Sequence, residues 1–224
     1  MASSDDLRAI ALAEFATSGY LGTSIHRIAE LAGLSKSSVL YHFASKEALL
    51  EAAISPAIER MGAILTAMAT QPLTLETRSV FIVDFVDFLL EHKLEVHMFI
   101  NQGKSLEDVP VIERANALVV RLATHFISTL TTTEDRMRFG IALGGAAYML
   151  VSSATFELDV PPQDETRTAL ITIVTELLAP VTARLSGQPE SGRSLASVSA
   201  AGQSTGNRST ADQSTAQQQK TQQE

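Results

Sequence analysis

Apolar residues recur along this chain at intervals of three and four, the repeat of a helix with one buried face. Leu7, Ile10, Ala11 and Phe15 form the first such stripe, and Gly19 supplies its stop. Ile25, Ile28, Ala29 and Ala32 form a second, at i, i+3, i+4 and i+7. Thr23 stands where a cap is needed, and Gly33 is the residue type suited to the left-handed conformation after a helix end. Leu34 can plug the turn, Ser35 can cap a third helix, and Ser45 can cap a fourth, whose Glu47 favours the positive helix end. The pattern predicts helix, tight glycine turn, helix. No alternating strand pattern followed by an Asn-Gly or Asp-Gly hairpin occurs, so the expected fold class is all-α.

Further helices are expected within 73–93, 94–103, 109–130, 132–156 and 161–185. Pro161 and Pro162 suit a helix start, whereas Pro180 is expected to kink or end the last helix. Residues 139 to 156 carry no charge, but three glycines, two serines and a threonine dilute the run, so a buried helix is preferred to a membrane span. From residue 187 large apolar side chains almost vanish in favour of Ser, Gln, Thr, Gly and Ala. Such a segment buries too little surface to offset its ordering entropy, and a disordered tail over 187–224 is expected. The implied organisation is a domain over 1–49, a helical domain over 50–186 and that tail.

Chemistry narrows the picture. With no cysteine, disulfides and thiolate metal sites are excluded, and the acidic pair near the start does not resemble a secretory signal. A cytoplasmic protein is expected. His92 and His97 are not spaced i, i+4, and neither a phosphate loop nor a nucleophile elbow is present, so an enzyme, a metal site and a cofactor are not expected. Glu76, Asp84, Asp87, Glu91 and Glu95 read as the solvated stripe of an apolar helix.

In the third helix Val39 and Phe43 share one face, which turns Lys36, Ser37, Ser38, Tyr41 and His42 outward. Small hydroxyls and one lysine suit the floor of the DNA major groove. The run "TSIHRIAELAGLSKSSVLYHFASKEALL", Thr23 to Leu50, resembles the DNA-binding signature of TetR/AcrR-type regulators. Thr23, Ile28, Ala29, Ala32, Gly33, Ser35, His42, Phe43, Ser45, Lys46, Glu47 and Leu49 stand where that pattern expects them. The resemblance covers roughly the first fifty residues. It implies an N-terminal three-helix helix-turn-helix domain followed by a larger helical domain for effector binding and dimerisation. It also implies that Thr23 and Ser24 meet phosphates, that Ser35 is among the DNA-binding residues, that Lys36, Ser37 and Ser38 face the groove, and that Tyr41, His42 and Lys46 anchor on the backbone. Two positions depart from the family: Ser37 replaces a common glycine, and Leu40 replaces a common tyrosine, removing one polar anchor. Residues 1 to 50 carry four Lys/Arg against five Asp/Glu, so no basic footprint accompanies the motif.

An effector pocket is expected among Phe81, Phe85, Phe88, Met98, Phe126, Tyr148 and Met149, with His97, Asn101, Gln102 and His125 as polar groups. Leu170, Ile173, Val174, Leu177, Leu178 and Val181 wrap most of one helix, and Ile141, Gly144, Gly145 and Tyr148 offer a close-packing face on another. Together they suggest a two-fold four-helix interface between copies. The function so implied is a homodimeric repressor that binds an inverted-repeat operator in double-stranded DNA and is released by a small molecule. A constitutive DNA-binding protein with a filled core is the competing reading, and an all-helical carrier or hydrolase is a more distant one.

Overall fold

The computed structural model describes residues 3–71, 74–130, 132–152 and 161–185, and these are helical with short connections. In order they form α1 (Ser4–Ser18), α2 (Ile25–Leu31), α3 (Lys36–His42), α4 (Lys46–Ala69), α5 (Leu75–Glu91), α6 (Lys93–Gln102), a 3-10 turn (Gly103–Leu106), α7 (Pro110–Thr129), α8 (Thr133–Ser152) and α9 (Gln163–Leu185). The expected tail over 187–224 lies outside the described residues. Among the described residues no helix is long and apolar enough to cross a membrane.

Local chemistry sets the helix ends. Ser3, Ser24, Ser35 and Ser45 cap α1 to α4, each side-chain oxygen accepting from a backbone N–H three residues on. The cap of α2 is therefore Ser24 and not Thr23, whose hydroxyl donates instead to the Gly19 carbonyl at 2.8 Å. Gly33 has φ +64°, which lets the chain reverse between α2 and α3. Pro180 does not end α9, which continues to Leu185. Its missing N–H costs one backbone bond, while Val174, Leu178 and Val181 on either side are buried.

Two apolar clusters organise the body. The first packs Leu7, Phe15, Ile28, Val39, Leu49 and Leu50 of α1 to α4 with Met98 of α6, Leu106, and Val111 and Ile112 of α7. The core beneath α1–α3 thus draws on residues well beyond position 49. Phe15, Leu7, Ile28, Val39, Leu49 and Leu50 are fully buried, and each stabilises by about 1.5–3 kcal/mol relative to an exposed side chain. The second cluster unites α4, α5, α7, α8 and α9 around Phe81, Phe85, Val86, Leu143 and Val174.

Candidate DNA-binding head and effector cavity

Helix α3 buries Val39 completely and leaves Lys36, Ser37, Leu40, Tyr41 and His42 exposed, with Ser38 half-buried. Tyr41 is the most open of these, at 88% exposure. The serines form a local network: the Ser35 hydroxyl lies 2.9 Å from that of Ser37 and 2.8 Å from that of Ser38, while accepting from the Ser38 N–H. On the opposite flank His42 Nδ1 is 3.0 Å from the Ser4 hydroxyl, tying α3 to the start of α1.

Two residues expected at phosphates have other tasks. Thr23 is 3% exposed and its hydroxyl is spent on the α1–α2 turn. Lys46 is half-buried and points inward, donating to the carbonyls of Tyr20 at 2.8 Å and Thr23 at 2.9 Å. Those carbonyls lie in a turn with few backbone partners, and the ammonium satisfies both. Burial pushes the Lys46 ammonium below its ordinary range and, as the larger of two causes, raises the Tyr20 phenol, with Glu47 adding to the latter. Ser24 is exposed, but its oxygen is engaged as the α2 cap.

The remaining head cations also have partners: Arg8 pairs with Asp5, and Arg27 reaches Glu14 at 3.6 Å and Glu30 at 3.9 Å. Among the described residues of the head, Lys36 is the cation left unpaired.

Helices α4 to α8 enclose a cavity of about 630 Å³. Ala57 and Met61 of α4, Phe85 and Phe88 of α5, Val96 and Phe99 of α6, Leu118 and Leu122 of α7, and Phe139 and Leu143 of α8 supply its apolar walls. Glu95 and Arg136 are the charged lining residues. Glu95 is mostly buried and accepts from or faces His92 Nδ1 at 3.1 Å, and Arg136 Nε donates to the Leu130 carbonyl at 3.3 Å. The cavity reaches the surface along α8, where Gly140, Gly144 and Tyr148 line it while remaining exposed.

Of the expected pocket residues, Phe85, Phe88 and Tyr148 line this space. The others lie elsewhere. Phe81 and Phe126 pack together at 5.3 Å between centroids, and His125 packs edge-on against Phe126. Met98 is fully buried in the cluster beneath the head. Asn101 is exposed and donates back to the His97 carbonyl, and Met149 is exposed on α8. Gln102 faces α1 rather than the cavity, accepting from the Tyr20 N–H at 2.7 Å. Glu95, read from sequence as part of a solvated stripe, instead enters the cavity wall, because α6 starts a new helix with its own facing.

The expected interface residues also divide. Ile141, Tyr148 and Ile173 are each at least half exposed, and Gly144 and Gly145 are open. Val174, Leu178 and Val181 instead fill the chain's own core, with Leu170 and Leu177 half-buried against it. Packing of α9 against α5 and α8 has consumed that face.

Residues 7–53 match the family model described as "Bacterial regulatory proteins, tetR family". Over 39 residues the chain is 56% identical to the HTH-type transcriptional regulator RutR of Escherichia coli, a match spanning 17% of this chain and 18% of that protein. Solved structures share the fold more widely. A TetR-family regulator from Bordetella parapertussis aligns at TM-score 0.58 and 18% identity over 78% of this chain and 93% of its own. The ketosteroid regulator KstR2 of Mycobacterium tuberculosis aligns at TM-score 0.55 and 17% identity over 77% and 93%. Those likenesses concern the fold alone, whereas the 56% identity is a local match over 39 residues. Residues 7–53 thus form an N-terminal DNA-binding domain of the kind found in the tetR family of bacterial regulatory proteins.

Proposed function

We propose that this protein is a cytoplasmic, homodimeric repressor that binds an inverted-repeat operator and releases it when a small molecule fills the cavity. The observation that carries the reading is the face of α3: Lys36, Ser37 and Tyr41 stand exposed on a helix whose opposite side is anchored by fully buried Val39. Such a helix can enter a major groove without disturbing its own packing. Lys36, Ser37 and Ser38 are assigned to base edges, and Tyr41, His42, Ser24 and Ser35 to the sugar-phosphate backbone. Lys46 supports the head from within.

The cavity supports effector control over constitutive binding. Its volume lies in the range of small-molecule sites, and its apolar walls with one carboxylate and one guanidinium suit a largely hydrophobic compound bearing one or two polar groups. The exposed apolar strip of Ile141, Gly144, Gly145, Tyr148 and Ile173 supports self-association through α8 and α9. Selection of bound duplexes from random DNA by the purified full chain tests the whole reading. An inverted repeat is expected; enrichment of no sequence, or of an asymmetric one, rejects it.

A further inference from the structure

Helix α6 serves two masters. One side, with Glu95, Val96, Phe99 and Ile100, is cavity wall. The other carries Met98 into the core beneath the head and ends at Gln102, whose amide is used at both ends. Its Nε2 donates to the Phe15 carbonyl at 2.8 Å, and its Oε1 accepts from the Tyr20 N–H at 2.7 Å. Phe15 is in the last turn of α1, where carbonyls lack helical partners, and Tyr20 follows the Gly19 turn at φ +80°. A residue more than eighty positions away in sequence therefore completes the end of α1.

The contact does not stop at Tyr20. The same residue's carbonyl is held by Lys46, the first residue of α4, and Lys46 also holds the carbonyl of Thr23, immediately before the α2 cap. Gln102, Tyr20, Lys46 and Thr23 thus form one continuous set of hydrogen bonds from the end of α6, a helix whose other side is cavity wall, to the start of the helix-turn-helix. We infer that Gln102 is a positioning residue for DNA binding, fixing the α1–α2 turn to α6 so that a displacement of the cavity wall is passed to the head. The second half of this inference rests on the effector reading above; the first does not.

Side-chain chemistry explains the residue. A neutral amide offers one donor and one acceptor at the spacing required by a carbonyl and an N–H. Glutamate at 102 retains the acceptor for Tyr20 but sets an anionic oxygen against the Phe15 carbonyl, and leucine serves neither.

The test uses the full chain and a duplex selected by the wild type. Gln102→Glu and Gln102→Leu are measured for operator affinity at fixed salt, helix content and amide exchange in the segment around Tyr20. A loss of about tenfold or more in affinity with helix content retained is expected of the Gln102→Glu protein, and Tyr20 exchange should accelerate in Gln102→Leu, which removes the acceptor. Ala115→Phe, which fills the cavity from α7, then serves as a fixed surrogate for an occupant. Its fold-effect on operator affinity should shrink toward one in the Gln102→Glu background. Wild-type affinity and Tyr20 exchange in both Gln102 variants overturn the inference. An undiminished Ala115→Phe effect overturns the transmission half. If Ala115→Phe alone leaves operator binding unchanged, the effector reading fails, and the positioning role is still decided by the Gln102 variants.

Discussion

The Lys46 ammonium stands 4.3 Å from the centroid of the Tyr20 ring while donating to that residue's own carbonyl at 2.8 Å. One side chain at the mouth of α4 thereby holds a turn through its charge, its hydrogens and its place over an aromatic face. Lys46→Met preserves the length of the stem, removes the ammonium donor from the Thr23 carbonyl and leaves that of Tyr20 with the Thr23 N–H at 3.3 Å. A loss of about 1–3 kcal/mol in denaturant-derived stability is expected, with a weaker head in every DNA assay. Unchanged stability in Lys46→Met would show that water replaces the ammonium without cost.

On α3, Lys36 and Tyr41 should fail in different ways. Tyr41→Ala removes an anchor common to all sites, so affinity should fall alike for every sequence. Lys36→Ala should erase preference at particular base pairs, by about 1–3 kcal/mol if its contact is to guanine. Binding of both variants across single-base operator changes at one salt concentration separates the two; a Lys36→Ala protein with the full wild-type preference refutes the assignment.

For the surface of α8 and α9, the distinction between exposed and buried residues makes a paired prediction. Ile141→Glu or Ile173→Glu should convert dimers to folded monomers in sedimentation velocity, since both side chains are already in water within one chain. Val174→Glu should instead unfold the protein, because it places a carboxylate in the core. Monomers of wild type at micromolar concentration would remove the interface.

Acid should loosen the tie between α5 and α9. Arg167 Nη2 donates to Asp87 Oδ2 at 2.8 Å, and that hydrogen bond, ahead of charge attraction, holds the Asp87 carboxyl below its usual range. Because the folded value lies under the unfolded one, the stabilisation is present above the unfolded value and is lost as pH falls through the folded one. Both side chains are about two-fifths exposed, which keeps the contribution under about 1 kcal/mol. Asp87→Asn should cost that much at neutral pH and reduce the stability decline below about pH 4 in denaturation midpoints.

The parts readable from sequence are those governed by neighbours along the chain. Gly33, Ser35 and Ser45 announce the ends of α2, α3 and α4 because cap and turn chemistry acts over three or four residues. Burial of Val39 beneath an exposed Tyr41 follows from helical period alone. By contrast, Lys46 and Gln102 find partners 23 to 87 residues away, at separations where no local rule operates. Choosing between Phe81 and Phe85 as cavity lining requires the rotation of α5 against α7 and α8, which an apolar stripe wide enough to include both does not encode. Glu95 was hidden because it falls in line with the carboxylates of α5 only if α5 continues, whereas a new helix begins at Lys93.

The commitment of Arg8, Arg27 and Lys46 to partners within the head has a consequence for life among competing genomic sites. Attraction to arbitrary DNA scales with the phosphates a protein can neutralise, and here little beyond Lys36 is available per head. Binding of the full chain to random duplex should therefore fall less steeply with added salt than that of a protein with a broad basic face.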